Sequence, residues 1–338
     1  MPGAKKDIIV IGGSAGSGAV LRQLLGDLPD DLPASVFVST HIPAHSPSIL
    51  AEVLGVRAPL PVAQAVDRQP IERGRVYVAA PDRHLLLMDG SILLGTGPRE
   101  NMVRPSIDPF FRSAALTYGP RVIGVVLTGM LNDGAAGLHA IKAAGGTAVV
   151  QHPIDAEADQ MPLAALETVD VDHVAPAANL GELLRTIAGT DAGPAVPLSG
   201  DLRLEVEIAA GARLGSDRLL QIATPSALSC PDCHGVLSEV NGSHPLRYRC
   251  QIGHAYTAET LVAQIDEVDE AIRVAMRVME ERVTLVERMA LDARQSGRVA
   301  VAELYEARAV EYRRYAATLR DAAVASLRAG TARREQDI

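Results

Sequence analysis

Ser14 stands where the stretch VIGGSAGSG, Val10 to Gly18, should pass from a β-strand into a helix. A hydroxyl at that corner lies beside backbone N–H groups that no helical carbonyl engages, and the helix dipole favours negative charge there. Two chemistries use such a corner: a serine nucleophile, or a cradle for phosphate. His41 follows the apolar run SVFVST (35–40), and Asp133 follows VIGVVLTG (122–129). A serine needs a base to become nucleophilic, and the base needs an acceptor that holds its tautomer and stabilises the imidazolium. The chain order Ser, His, Asp is not the usual α/β-hydrolase order, but such triads are defined by geometry. Taken singly, His41 also reads as an ordinary strand-end histidine, and Asp133 as an N-cap for a helix at Gly134.

The phosphate reading is the weaker one. Counted from Gly12, Ser14 occupies the second glycine position of a G-x-G-x-x-G loop, and the lysine of a P-loop is missing. Asp27, Asp30 and Asp31 precede the second strand, whereas a ribose-binding acid sits at its end. A second constellation lies far downstream: Cys230 and Cys233 in CPDC, then Cys250 and His254 in RYRCQIGHAY. Two knuckle-like pairs of soft ligands form a Cys3His zinc-ribbon pattern, whose Zn2+ would be four-coordinate and structural. His234 and His244 compete for the fourth place, and three unpaired reduced cysteines are the plain alternative. No cofactor is expected for catalysis.

The elements that must position these residues alternate short β-rich runs with amphipathic stretches, which predicts an α/β fold with a doubly wound, mostly parallel sheet. Strands are expected at 7–11, 35–40, 74–81, 122–129 and 146–151, and a hairpin over 84–94 turning at Asp89-Gly90. Helices are expected at 19–28, near Ser106 or Asp108, and over 134–144, 161–167 and 180–187. In a parallel sheet Ser14, His41 and Asp133 then share the carboxyl edge, where open α/β sheets hold ligands. GTDAGPAVPLSG reads as a linker, with LRLEVEIA as a lone strand in an otherwise uninformative segment. The expected organisation is a catalytic α/β domain over 1–190, a linker over 191–226, a small zinc ribbon over 227–257, an α-helical hairpin over 258–330 and a disordered tail over 331–338. The hairpin follows from Leu261, Ile265, Val268, Ile272, Ala275 and Met279, answered after a turn at 295–297 by Tyr305, Ala309, Tyr312, Ala316 and Leu319. Packing within the chain and coiled-coil binding of a partner both satisfy that seam.

Composition narrows the function classes. Hydrophobic residues make up 48% of 338, aromatics only 3%, and the formal net charge is −9. That balance argues against nucleic-acid binding, which needs cations on phosphates and aromatic stacking. No run is long enough to insert in a bilayer. Three cysteines, all in the last third, are not a secreted disulfide framework, so a cytoplasmic protein is expected.

The motifs GGSAGS after the first strand, THIP after the second, RPSIDPFF and LTGMLNDGAAG are similar to those of the chemotaxis protein-glutamate methylesterases (CheB-type), over about residues 5–190. The resemblance implies Ser14 as nucleophile, His41 as general base and Asp133 as its orienting carboxylate. It implies hydrolysis of γ-glutamyl methyl esters on a methylated chemoreceptor or related signalling protein, with methanol released, and glutamine deamidation as a further activity. The backbone at Ala15 and near Met130 would hold the oxyanion. This sequence departs from the family pattern at Ala15-Gly16-Ser17, where Thr-Gly-Gly is common, and at Val103, where a histidine is common. It starts at the catalytic domain, so control by a phosphorylated receiver domain is expected to be absent. Either the enzyme is constitutive, or a separate regulator or its own C-terminal region, including self-association through the C-terminal helices, takes that place. A non-catalytic receptor-binding regulator on the same fold is the second reading, and a nucleotide-binding protein the third.

Overall fold

The computed structural model describes the chain apart from residues 1–3, 46, 48, 214, 215, 264, 337 and 338, and it leaves out the side chains of 216, 265–271 and 325–336. The chain forms two compact units, Met1–Leu261 and Val262–Ile338.

The first unit opens with β1 (Ile8–Gly13), α1 (Ser17–Gly26), β2 (Ser35–Thr40), α2 (Leu50–Gly55), β3 (Val62–Gln64) and β4 (Val76–Val78). A hairpin, β5 (His84–Met88) and β6 (Ser91–Gly95), precedes α3 (Ile107–Tyr118). Then come β7 (Val122–Val126), α4 (Ala135–Ala143), β8 (Thr147–Gln151), α5 (Gln160–Thr168), β9 (His173–Ala175) and α6 (Ala177–Ile187). Seven strands form one sheet in the order β3-β4-β2-β1-β7-β8-β9, all parallel. The chain winds from β1 toward one edge and then returns beside β1 to reach the other, which makes β1 the switch point.

Alternate residues of the central strands feed two cores. Val10, Phe37 and Val126 pack with Ile107, Phe111 and Leu138 from α3 and α4. Ile9, Ile11, Val36 and Val125 pack with Leu21, Leu24 and Leu180 from α1 and α6. Burial on both faces is why these strands read as continuous apolar runs. β2 has the expected bounds, and the β5–β6 turn falls at Asp89-Gly90, both with positive φ (47° and 79°), as a type I′ turn requires. The short elements α2, β3 and β9 went unread in the sequence.

The segment 191–226, expected as a linker, holds α7 (Gly200–Ala210) and α8 (Ser216–Ile222), and the stretch read as a strand, LRLEVEIA, lies in α7. Its alternating pattern misleads because the polar residue Glu205 is itself buried, 3% exposed, among arginines. The signals that bound the helix are Ser199 at its start and Gly211, at φ 116°, at its end. An antiparallel sheet of β10 (Ala223–Ser229), β11 (Val236–Val240), β12 (Arg247–Cys250) and β13 (Ala255–Thr257) forms the ribbon, followed by α9 (Ala258–Ala263).

The ribbon belongs to the same compact unit as the α/β fold. Glu100 pairs with Arg112 of α3 and with Arg249 of the ribbon at 2.9 Å, while Glu205 of α7 pairs with Arg249 at 3.1 Å and Arg247 at 2.6 Å. Arg249 is fully buried. Opening one such buried pair typically costs about 3–5 kcal/mol, because the remaining charge keeps its desolvation penalty.

The second unit is the antiparallel pair α10 (Ile265–Gln295) and α11 (Val299–Gln336), turning at Gly297, φ 74°. Among the described residues, Val286, Ala290 and Ala293 on one helix and Ala302, Ala309 and Ala316 on the other are buried. The pairs Glu280–Arg320, Glu287–Arg313 and Arg294–Glu306 step one heptad at a time along both helices and hold the register. Of the expected seam, the side chains of Ile265 and Val268 lie outside the described residues. For the expected tail over 331–338, α11 runs to Gln336 and the last two residues are outside the description.

Candidate active site

Register decides where the polar residues emerge. Gly13 of β1 is the partner of Thr40 of β2, so Ser14 and His41 leave adjacent strands side by side. The strand β7 delivers its loop from the other side of β1, with the Ser14 N–H bonded to the Thr128 carbonyl at 2.9 Å. Ser14 Oγ lies 3.0 Å from His41 Nδ1, and His41 Nε2 lies 2.8 Å from Asp133 Oδ2. With Nε2–H donated to the carboxylate, the Nδ1 lone pair accepts the Ser14 hydroxyl proton.

Asp133 is 3% exposed and accepts four donors besides His41: the Asn101 amide, the Ser106 hydroxyl, and the backbone N–H groups of Ile107 and Asp108. The last three belong to the start of α3, so a helix N-terminus points at the carboxylate. Asp133 is therefore not the cap of the helix that follows it. That task falls to Asp108 of α3, whose Oδ1 accepts the N–H groups of Gly134 and Gly137 at 3.0 and 2.7 Å. Each helix supplies the carboxylate that the other helix's N-terminus binds. Burial alone would raise Asp133, but the His41 contact and the Ile107 and Asn101 donors hold its carboxyl down at about 2. Burial, with the Asp133 charge beside it, pushes Asp108 up to about 7. Below about pH 7 the pair therefore carries one charge, on Asp133, with Asp108 protonated.

Glycine lets neighbouring segments pack tightly around Ser14. A Cβ at Gly129 would lie 2.1 Å from Met161 Sδ and 2.9 Å from Ser14 Cβ. Gly16, at φ 75°, starts α1 in a conformation that L side chains rarely adopt. The N–H groups of Ala15 and Met130 have no backbone or side-chain acceptor among the described residues, which suits both for the oxyanion role expected of them. Asn101, Ser106 and Asp108 were missed as site residues. For Ser106 and Asp108 the signal is that RPSID opens a helix whose first turn must face some acceptor; Asn101 carries none.

The four ribbon residues also meet. The ligand atoms of Cys230, Cys233, Cys250 and His254 all lie within 4.8 Å of one another. Cys233 Sγ is 3.6 Å from Cys250 Sγ, and His254 Nδ1 is 3.7 and 3.5 Å from the sulfurs of Cys230 and Cys250. Tetrahedral Zn–S and Zn–N bonds of usual length give edges of about 3.8 Å between sulfurs and about 3.6 Å between sulfur and nitrogen. The cage fits that ion. Burial and the neighbouring Cys230 sulfur push the Cys250 thiol up to about 12, a cost that a divalent cation would reverse. His234 and His244 stand outside the cluster.

A serine, imidazole and carboxylate in line, at the switch point of a parallel sheet, define the geometry of a serine hydrolase. The CheB methylesterase family model matches residues 9–184, and the chain belongs to that family. A Leptospira interrogans protein, named among the protein-glutamate methylesterases/protein-glutamine glutaminases, is 39% identical over 178 residues, 52% of this chain and 92% of that protein. Protein-glutamate methylesterase/protein-glutamine glutaminase 2 of Anaeromyxobacter dehalogenans is 39% identical over 184 residues, 54% of each chain. The crystal structure of the Thermotoga maritima CheB methylesterase catalytic domain aligns with TM-score 0.52 and 32% identity, covering 55% of this chain and all of that one.

Proposed function

We propose that the chain hydrolyses γ-methyl glutamate esters on a methylated chemoreceptor or related signalling protein, and deamidates glutamine at the same site. The observation that carries this reading is the hydrogen-bonded line from Ser14 Oγ through His41 to Asp133. Ser14 Oγ attacks the ester carbonyl while His41 Nδ1 takes its proton. The backbone N–H groups of Ala15 and Met130 hold the oxyanion. As the intermediate collapses, His41 returns the proton to the departing methoxide, giving methanol and a glutamyl ester on Ser14. Water, deprotonated by His41, then frees the glutamate and restores the serine. With a glutamine substrate the leaving group is ammonia. No metal enters these steps.

The Cys230, Cys233, Cys250 and His254 cage would hold a structural Zn2+ that closes the ribbon. The helical hairpin is the surface we assign to a regulator or to self-association. Among the described residues no helix is long and apolar enough to cross a membrane. The proposed substrate, the signalling region of a receptor, would set the reaction in the cytoplasm. The test is methanol release from a helical peptide bearing γ-methyl glutamate. Ser14→Ala should abolish it, and wild-type release no faster than the variant's would sink the proposal.

A further inference from the structure

Thr257 is the last residue of β13, 1% exposed, and belongs to the ribbon, yet it reaches the catalytic loops twice. Its N–H donates to Asn101 Oδ1 at 3.0 Å, and the amide nitrogen of that Asn101 donates to Asp133 Oδ1 at 3.0 Å. Its hydroxyl donates to Asn132 Oδ1 at 2.7 Å and accepts the Thr260 N–H at 3.1 Å. Asn132 lies between Met130, an oxyanion donor, and Asp133. We infer that Thr257 is a positioning residue for the hydrolysis, acting through Asn132 and Asn101 on the alignment of Asp133 and Met130. The inference rests on the reading of Ser14, His41 and Asp133 as the reacting groups.

Backbone conformation explains why those loops need an outside hold. Leu131 has φ 59°, Asn101 φ 50° and Met102 φ 67°. Asparagine tolerates this region, but leucine and methionine hold it only where surrounding contacts over-determine it. The 130–133 loop is held by Gln160 of α5, whose Oε1 accepts the Leu131 N–H at 2.8 Å, and by Asn132, which is 4% exposed and accepts the Thr257 hydroxyl of the ribbon. The 100–103 turn is held by Ala255, whose carbonyl accepts the Asn101 N–H at 2.8 Å, and by the pairing of Glu100 with Arg249. Both loops that converge on Asp133 are thus fastened to one short ribbon strand. A serine hydrolase loses rate steeply when a reacting group shifts by even about 1 Å, of the order of 100-fold.

Thr257→Val keeps the backbone bond to Asn101 and the side-chain shape but removes the hydroxyl, whereas Thr257→Ser retains the hydroxyl. Made in the full chain, Thr257→Val should lower kcat roughly 10- to 100-fold with KM nearly unchanged, and Thr257→Ser should restore most of it. Asn132→Ala should show the same kcat loss, and adding Thr257→Val to it should cost little more, because both variants cut one contact. Labelling of Ser14 by a fluorophosphonate should slow in parallel, since that reaction reads triad alignment whatever the natural ester. A folded, metal-loaded Thr257→Val with wild-type kcat and labelling overturns the inference. So do fully additive effects in the double variant. If Thr257→Val fails to fold, Asn132→Ala decides alone, and wild-type kcat there is equally fatal. Slowed labelling in a protein that releases no methanol would leave the inference standing and remove the methylesterase reading.

Discussion

Replacing Asp133 with asparagine changes one oxygen into an NH2 group, and the structure determines what that does. One carboxylate oxygen, Oδ2, accepts from His41 and from the Ile107 N–H at 2.8 Å; the other accepts from Asn101, Ser106 and the Asp108 N–H. If the new NH2 takes the Oδ1 place, it faces two donors that cannot yield. The Asp108 N–H is fixed by the backbone, and the Asn101 amide is held by Thr257. If it takes the Oδ2 place, it faces one fixed donor, Ile107, and His41 can adapt by moving its proton to Nδ1. Each unmet buried donor costs about 1–3 kcal/mol, so the second placement wins by a similar amount. The imidazole is then in the wrong tautomer, with Nδ1–H pointing at Ser14 and no lone pair to take its proton. The expected loss in kcat is about 10^4-fold, near 5.5 kcal/mol of barrier, as for the same change in serine-protease triads. Methanol release and fluorophosphonate labelling should fall together while the fold is kept. Activity within tenfold of wild type would refute the assigned tautomer and the role of Asp133 with it.

Gly129→Ala should cripple activity and cost about 1–3 kcal/mol of stability, because the new methyl overpacks the buried Met161 side chain and crowds Ser14 Cβ; kcat against urea midpoint separates the two effects. The stability–pH curve should carry the signature of Asp108. Its carboxyl is raised to about 7, so between roughly pH 4 and 7 the native state holds a proton that the unfolded chain has lost, and stability falls as pH rises through that window. Asp108→Asn cannot titrate and should flatten that slope in urea unfolding measured from pH 4 to 7; an unchanged slope would contradict the assignment. Cys233→Ser should leave under half a zinc per chain by elemental analysis, against about one in the wild type, and lower the melting temperature.

The sheet edge was legible because its strands are buried on both faces. Runs such as IIVIGG and VIGVV read as continuous apolar strands, so Ser14, His41 and Asp133, each in the loop that follows a strand, fall at the carboxyl edge of the sheet. The soft-ligand spacing of Cys230, Cys233, Cys250 and His254 was legible for a similar reason: four ligands of one ion must be local to two turns. What sequence did not reveal depends on partners distant in the chain. Glu205 and Arg249 look like solvated charges, and only the fold brings them together with Glu100 and Arg112 in a buried cluster. The same cluster turned α7 from an apparent strand into a helix whose buried face carries an acid. Thr257 lies 156 residues from Asn101, and neither residue type at that separation signals a contact.

The two acids at the heart of the site have different work, and the exchange of helix caps explains the difference. A carboxylate that orients a catalytic imidazole must remain ionised while the imidazole gains its proton, or it would take that proton itself. Asp133 meets this condition because five donors, three of them from the start of α3, hold its carboxyl at about 2. The same donors restrict its rotation, so His41 finds the acceptor in one direction only. A second ionised acid so near is opposed by repulsion, and burial together with that repulsion raises Asp108 to about 7, while its Oδ1 accepts the two N–H groups of α4. α3 thereby fixes the charge that the proposed hydrolysis needs, and α4 is capped by the acid whose carboxyl is raised. The ribbon strand completes the arrangement, because the Asn101 amide bonds to both acids and Thr257 holds its other end.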